Sequence, residues 1–214
     1  MAQRMPPRDD QASGIAQEAA RILCEEGQVD YRLAKLKAAQ RLGLSARAAL
    51  PDNARIQAAV IGYLRLFGGQ EYASRLQRMR QVAVQAMRLL ADFQPQLVGA
   101  LISGAATSAQ RVQIHAFDER AERLELFLHD RGVPFRQDDR HYRYPGGREE
   151  RVPLIRFDAG EIGIDLAVFA PDDSRRAPLS PIDGLPMKRL GLEQAEALAR
   201  IDPARILDDA DSAA

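Results

Sequence analysis

The feature that most constrains this chain is a change of hydrophobic period at Pro95. Before it, apolar residues recur every three or four positions; after it, they recur every two. The first spacing places side chains on one stripe of a helix, the second on one face of a strand. Ile15, Ala19, Ile22 and Leu23 define a first helix ending near Gly27. Asp30 is placed to cap a second, with Leu33, Leu36 and Ala39 expected inside and Gly43 at its end. Asp52 opens a third, carrying Ile56, Ala59, Val60, Tyr63, Leu64 and Phe67. The fourth is the longest, about residues 70–92, with Tyr72, Leu76, Met79, Ala83, Met87 and Leu90 in line. Each has one apolar stripe, so the four must pack on one another or on a neighbouring layer.

Beyond Pro95 the chain reads as strands. Residues 97–102 form a short apolar run, and Val112, Ile114 and Ala116 alternate with Gln113, His115 and Phe117. Asp118 is expected to cap a helix through Leu124, Phe127 and Leu128, closed by Gly132. Val133 to Tyr144 leads into a Gly146-Gly147 turn, and 152–157 and 162–169 are two further strands. Pro171, Pro178, Pro181 and Pro186 make 170–186 an irregular arm, followed by a helix near 192–200. The expected fold is α+β, with an N-terminal helical region packed on a small mixed sheet. The expected divisions are a disordered 1–12, a helical 13–94, a sheet domain 95–170, an arm and helix 171–205, and a frayed tail 206–214.

Composition narrows the function classes. The chain has 214 residues and equal basic and acidic totals of 30. The balance is uneven along it: residues 1–94 hold 14 basic and 9 acidic side chains, and the rest 16 and 21. Opposite halves of this kind attract and dock, and the basic excess is a weak footprint for nucleic acid. Cys24 is the sole cysteine and the histidines number three, which excludes a disulfide framework and multi-cysteine zinc sites. No run is apolar enough for a membrane span, and the N-terminus has no signal-peptide core, so a cytoplasmic chain without a membrane partner is expected. Nothing in the composition fixes an oligomeric state. No P-loop, dinucleotide fingerprint or G-x-S-x-G motif occurs.

The most informative stretch is the turn between the first two strands, Gly99-Ala100-Leu101-Ile102-Ser103-Gly104-Ala105-Ala106-Thr107-Ser108-Ala109-Gln110-Arg111-Val112-Gln113-Ile114. It resembles the signature of the nucleotidyltransferase superfamily related to DNA polymerase β, in its order of strand, glycine turn, second glycine and apolar strand. The wider chain, over most of residues 13–200, also resembles a bacterial group with an N-terminal helical segment and a nucleotidyltransferase-like core. The resemblance implies a sheet of nucleotidyltransferase type. It implies a ligand site formed by Gly99, Ala100, Ser103, Gly104, Arg111 and Gln113, with Asp165 as the candidate third carboxylate. In the family, an Asp pair and a third acid hold two Mg²⁺ ions that clamp the attacking and leaving oxygens.

Here Ala100 stands at the family's serine position, and Arg111 and Gln113 stand at its two aspartates. A lone acid cannot satisfy two divalent ions, each of which wants about six oxygen ligands. The resemblance therefore implies a degenerate member without a metal cofactor or metal-dependent transfer, binding a nucleotide, another phosphate-bearing ligand or a protein partner. Arg111, as a strand-start residue, is expected to meet a phosphate directly and to matter little for stability. An active enzyme would need Mg²⁺ on Asp165 with unconventional help from Asp158 or Glu161. A non-enzymatic interaction module is the third possibility. The basic and aromatic run Arg140-His141-Tyr142-Arg143-Tyr144 could serve nucleic acid, but alternation reads it as a half-buried hairpin. His115 is expected to pack or hydrogen-bond rather than ligate.

Overall fold

A computed structural model of the chain describes residues 8–44 and 49–204. Four helices come first: α1 (Arg8–Glu25), α2 (Tyr31–Arg41), α3 (Asn53–Phe67) and α4 (Gly69–Leu89). They are followed by β1 (Gln96–Val98), α5 (Ala100–Ser103), β2 (Val112–Phe117), α6 (Ala121–Asp130), β3 (Phe135–Arg143), β4 (Glu149–Ala159), β5 (Ile162–Phe169) and α7 (Leu192–Arg200). The α+β class expected from the period switch is the one observed. Of the disorder expected over 1–12, positions 1–7 lie outside the described residues, as does the tail 206–214. From Arg8 onward the chain is already helical. Asp9 and Asp10 sit in the first turn of α1, where carboxylates favour the helix dipole, and Asp9 also pairs with Arg55 on α3 at 2.6 Å.

Helices α1, α2 and α3 share one core, built on Ile15, Ala19, Ile22, Leu23, Ala34, Ala38, Ile56 and Val60, with Ala105 from the turn beyond α5. Asp30 caps α2 through the main-chain N–H groups of Arg32 and Leu33, and Asp52 caps α3 through that of Arg55. The inner face of α2 differs from expectation. Ala34, Ala38 and Ala39 point in, while Leu33 and Leu36 are 52% and 50% exposed. Two apolar stripes compete on this helix, and the alanine stripe lets α2 lie close against α1. Phe67, at the last turn of α3, is likewise exposed.

The five strands form one sheet in the order β1-β2-β5-β4-β3, parallel between β2 and β5 and antiparallel elsewhere. Its inner face packs Val112, Ile114, Ile155, Phe157, Ile164, Leu166 and Val168 against α4, with Leu124 and Leu128 of α6 and Ala195 of α7 in the same core. The run 97–102 is not one strand. Gly99 has φ 82°, which turns the chain out of β1 into α5, and Ser103 Oγ donates to the Ala100 carbonyl at 3.2 Å. Extended structure therefore stops at Val98, because the glycine takes a left-handed conformation that other residues avoid.

The outer face of the sheet is half covered. At one end Phe117, Tyr142, Tyr144, Val152, Leu154, Ala167 and Phe169 form a third core that Met187 of the arm touches. The arm is held at both margins: Leu179 N–H donates to Arg143 O at 2.6 Å, and Leu190 exchanges two backbone bonds with Leu97 at 2.8 and 2.9 Å. The other end of this face is polar. Among the described residues no helix is long and apolar enough to cross a membrane.

Candidate functional site

The polar end follows from strand register. Gln113 on β2 pairs with Asp165 on β5, Asp165 with Arg156 on β4, and Arg156 with Arg136 on β3, so one row of side chains crosses four strands. Period-two alternation puts all four on the face opposite the core. Asp165 is 5% exposed. A buried carboxylate needs partners, and it has several. Arg111 Nε donates to Oδ1 at 2.7 Å, Arg140 Nη2 donates to Oδ2 at 2.6 Å, and Arg156 Nε lies 3.7 Å from Oδ1. Arg156 also pairs with Asp138 at 3.0 Å.

Gly99, Arg111, Gln113 and Asp165 are thus brought together as the sequence suggests. The φ of 82° favours glycine at 99, and a Cβ built there would lie 2.7 Å from Oε1 at the movable end of Gln113. Ala100 follows at the first turn of α5. Ser103 faces the helical region instead, with Oγ accepting from Gln57 Nε2 of α3 at 3.0 Å. The Gly104 carbonyl accepts from the Tyr72 hydroxyl of α4. Two further α4 side chains hold this turn: Arg75 donates to the carbonyls of Thr107 and Ser108 at 2.7 and 2.5 Å, and the buried Arg80 donates to that of Leu101 at 3.3 Å. On the arm side, Asn53 Nδ2 of α3 donates to Pro181 O at 2.6 Å.

Arg111 departs from the role its strand-start position suggests. Besides Asp165 it donates from Nη1 to Asp158 Oδ1 at 3.0 Å, and from Nη2 to the carbonyls of Phe157 and Ile164 at 2.9 and 3.2 Å. Four of its five N–H groups are engaged by the protein, so it ties β2, β4 and β5 together. An exposed arginine with little part in stability is not what the geometry contains.

The same geometry bears on Mg²⁺. The Arg111 guanidinium lies between the carboxylates of Asp158 and Asp165. Glu161 is exposed in the turn joining β4 and β5. Among the described residues no group of three or more His, Cys, Asp or Glu side chains is disposed to hold a metal. With a guanidinium seated between its two acids, this group of residues does not fit a divalent ion.

Under the arm lies the other polar centre. His115 is buried, with Nδ1 accepting from Arg189 Nε at 3.1 Å. The neutral ring then carries its proton on Nε2, which faces the Tyr142 hydroxyl at 3.3 Å. Burial, with Arg189 and Arg140 nearby, holds its pKa well below the usual histidine range. Arg189 also spans the rings of Phe117 and Phe169, 5.2 Å from each centroid. Tyr142 and Tyr144 are 6% and 4% exposed, so the aromatic part of residues 140–144 belongs to the core. Burial pushes the Cys24 thiol up to about 12.

Arg140, Arg156 and Arg189 carry the electrostatics of this face, and the sequence reading gave none of them a role at Asp165 or His115. The alternation of β3 and β4 marks the face of the first two. Arg189 lies in an irregular arm, where no periodic signal exists. Comparison with protein-family models and with curated proteins found no match to this chain.

Proposed function

We propose that the charged end of the outer sheet face binds a phosphate-bearing ligand of the nucleotide class, without a divalent metal and without group transfer. The observation that carries this reading is the gathering of Arg111, Arg140 and Arg156 around the buried carboxylate of Asp165. Arg136 extends the same row at the surface. Guanidinium groups are the preferred forks for phosphate oxygens. Arg111 supports the site from within, so ligand contact falls to Arg156, Arg136 and the outer edge of Arg140. The resemblance of residues 99–114 to the nucleotidyltransferase turn favours a nucleotide over a bare anion. The engaged Arg111 favours a binding protein over an enzyme. Nucleic acid is the weaker reading, since Tyr142 and Tyr144 offer no exposed ring for base stacking.

Titration calorimetry with nucleoside triphosphates in EDTA, repeated with Mg²⁺, tests the proposal. Binding should occur in EDTA and change little with the metal. Arg156→Ala should weaken it roughly tenfold, the equivalent of one charge-assisted contact. Absence of binding across the panel, or nucleotide turnover with Mg²⁺, would overturn it.

A further inference from the structure

The surroundings of Arg111 are all oxygen: a carboxylate oxygen each from Asp165 and Asp158, and the main-chain carbonyls of Phe157 and Ile164, at 2.7–3.2 Å from its nitrogens. Two acids and two carbonyl dipoles facing one point form an environment for a cation. The seat is also shaped for a flat one. Gly163 has an ordinary backbone φ, so its lack of a side chain is not explained by conformation. A Cβ added there would fall inside the Arg111 guanidinium, with Nη1, Cζ and Nε as its nearest atoms. Glycine in a strand interior weakens the strand and marks close approach by another group. Here that group is the guanidinium of Arg111, which its four hydrogen bonds hold over Gly163.

We infer that this seat is a cation-binding site specific for a planar guanidinium, which the chain fills permanently with its own side chain. Arg111 is a tethered counter-ion for Asp165 and Asp158, and it holds β5 to β2 and β4 at the entrance of the polar face. The inference rests on no ligand at that face and deepens the reading above by supplying the charge that replaces a free cation. Its test contains no nucleotide, so either can fail alone.

Thermal unfolding of wild type and of Arg111→Ala is measured with ~20 mM guanidinium chloride, with sodium chloride at the same ionic strength as the control. The variant should lose roughly 5 °C or more, as expected for a buried carboxylate stripped of a partner. Guanidinium should restore part of the loss in the variant and raise wild type no more than sodium does. A double-mutant cycle with Gly163→Ala covers the case in which rescue is masked by poor folding. In the wild-type background Gly163→Ala should lower Tm by several degrees, because the new Cβ displaces the guanidinium. In the Arg111→Ala background it should be neutral or stabilising, as Ala in place of Gly usually is at an ordinary φ. An equal cost of Gly163→Ala in both backgrounds, or a variant indifferent to guanidinium, would overturn the seat.

Discussion

The two ends of the outer sheet face solve one problem in opposite ways. Each has a titratable side chain buried on a central strand with an arginine bonded to it: His115 with Arg189 at 3.1 Å, and Asp165 with Arg111 at 2.7 Å. At the covered end the buried group is kept neutral, the arginine accepts the aromatic faces of Phe117 and Phe169 as company, and the arm closes over the pair. At the open end an aspartate takes several cations. A neutral acceptor can be sealed in without a counter-ion, whereas a buried carboxylate needs its cations around it.

The largest effect in this comparison is expected from Asp165→Asn. It leaves Arg111 and Arg140 converging on an uncharged amide. Urea unfolding should show a loss of about 3 kcal/mol, at the lower edge of that for breaking a buried pair because both arginines keep some solvent. A loss below about 1 kcal/mol would mean the open end is only a solvated charge cluster.

Next is the pH response of the covered end. In the unfolded chain His115 takes up a proton as pH falls through about 6.5, while the folded chain resists it. The unfolded state then binds more protons, so stability should fall as pH drops below about 6.5 and continue falling until the lower folded-state pKa is reached. The slope should approach about 1.4 kcal/mol per pH unit. His115→Gln keeps an acceptor for Arg189 and does not titrate. Denaturation at pH 7 and pH 5 should therefore show a clear loss for wild type and a flatter response for the variant. Equal slopes would place the acid sensitivity elsewhere.

A sharper contrast comes from Arg111→Asp combined with Gln113→Asp. With Asp158 and Asp165 this would gather four carboxylates where a guanidinium now lies, and Mn²⁺ titration should detect an affinity that wild type lacks. Failure to gain metal binding, in a variant shown to fold, would mean that Arg140 and Arg156 dominate the local field. The smallest effect is expected from Asp158→Asn. Its side chain is 67% exposed, and a solvated pair of this kind contributes under about 1 kcal/mol. A larger loss would make Asp158 an equal partner of Asp165 in holding Arg111.

Much of the fold was legible. The caps at Asp30 and Asp52 and the strands from 112 onward followed from local chemistry, but Asp118 does not cap α6: its carboxylate accepts from the Arg120 N–H ahead of the helix, and the N-cap position falls to Arg120. So did the burial of Tyr142 with Tyr144 and the end of α6 at Gly132. The α2 register was not legible, because its leucine and alanine stripes are equally periodic and only the close approach of α1 selects between them. The strand expected over 97–102 failed at Gly99, where turn geometry outweighs apolar content. Of the site, the meeting of Gly99, Arg111, Gln113 and Asp165 was anticipated only through the resemblance of residues 99–114, not through periodicity. The engagement of Arg111 could not be anticipated: its nearest acids are 47 and 54 positions away, and no local pattern tells a strand-start arginine bound to them from one facing water.

By itself, then, and outside the run 97–102, the sequence determined which segments are helix and which are strand, and which strand faces are apolar. These depend on periodicity and on residues within a few positions. Only the tertiary structure decided that β2 and β5 lie side by side, that the arm covers one end of a face, and that Arg111 just before β2, Arg140 of β3 and Arg156 of β4 reach one aspartate. Those outcomes are set by pairing between distant segments and by the need to neutralise a buried charge, neither of which has a period along the chain.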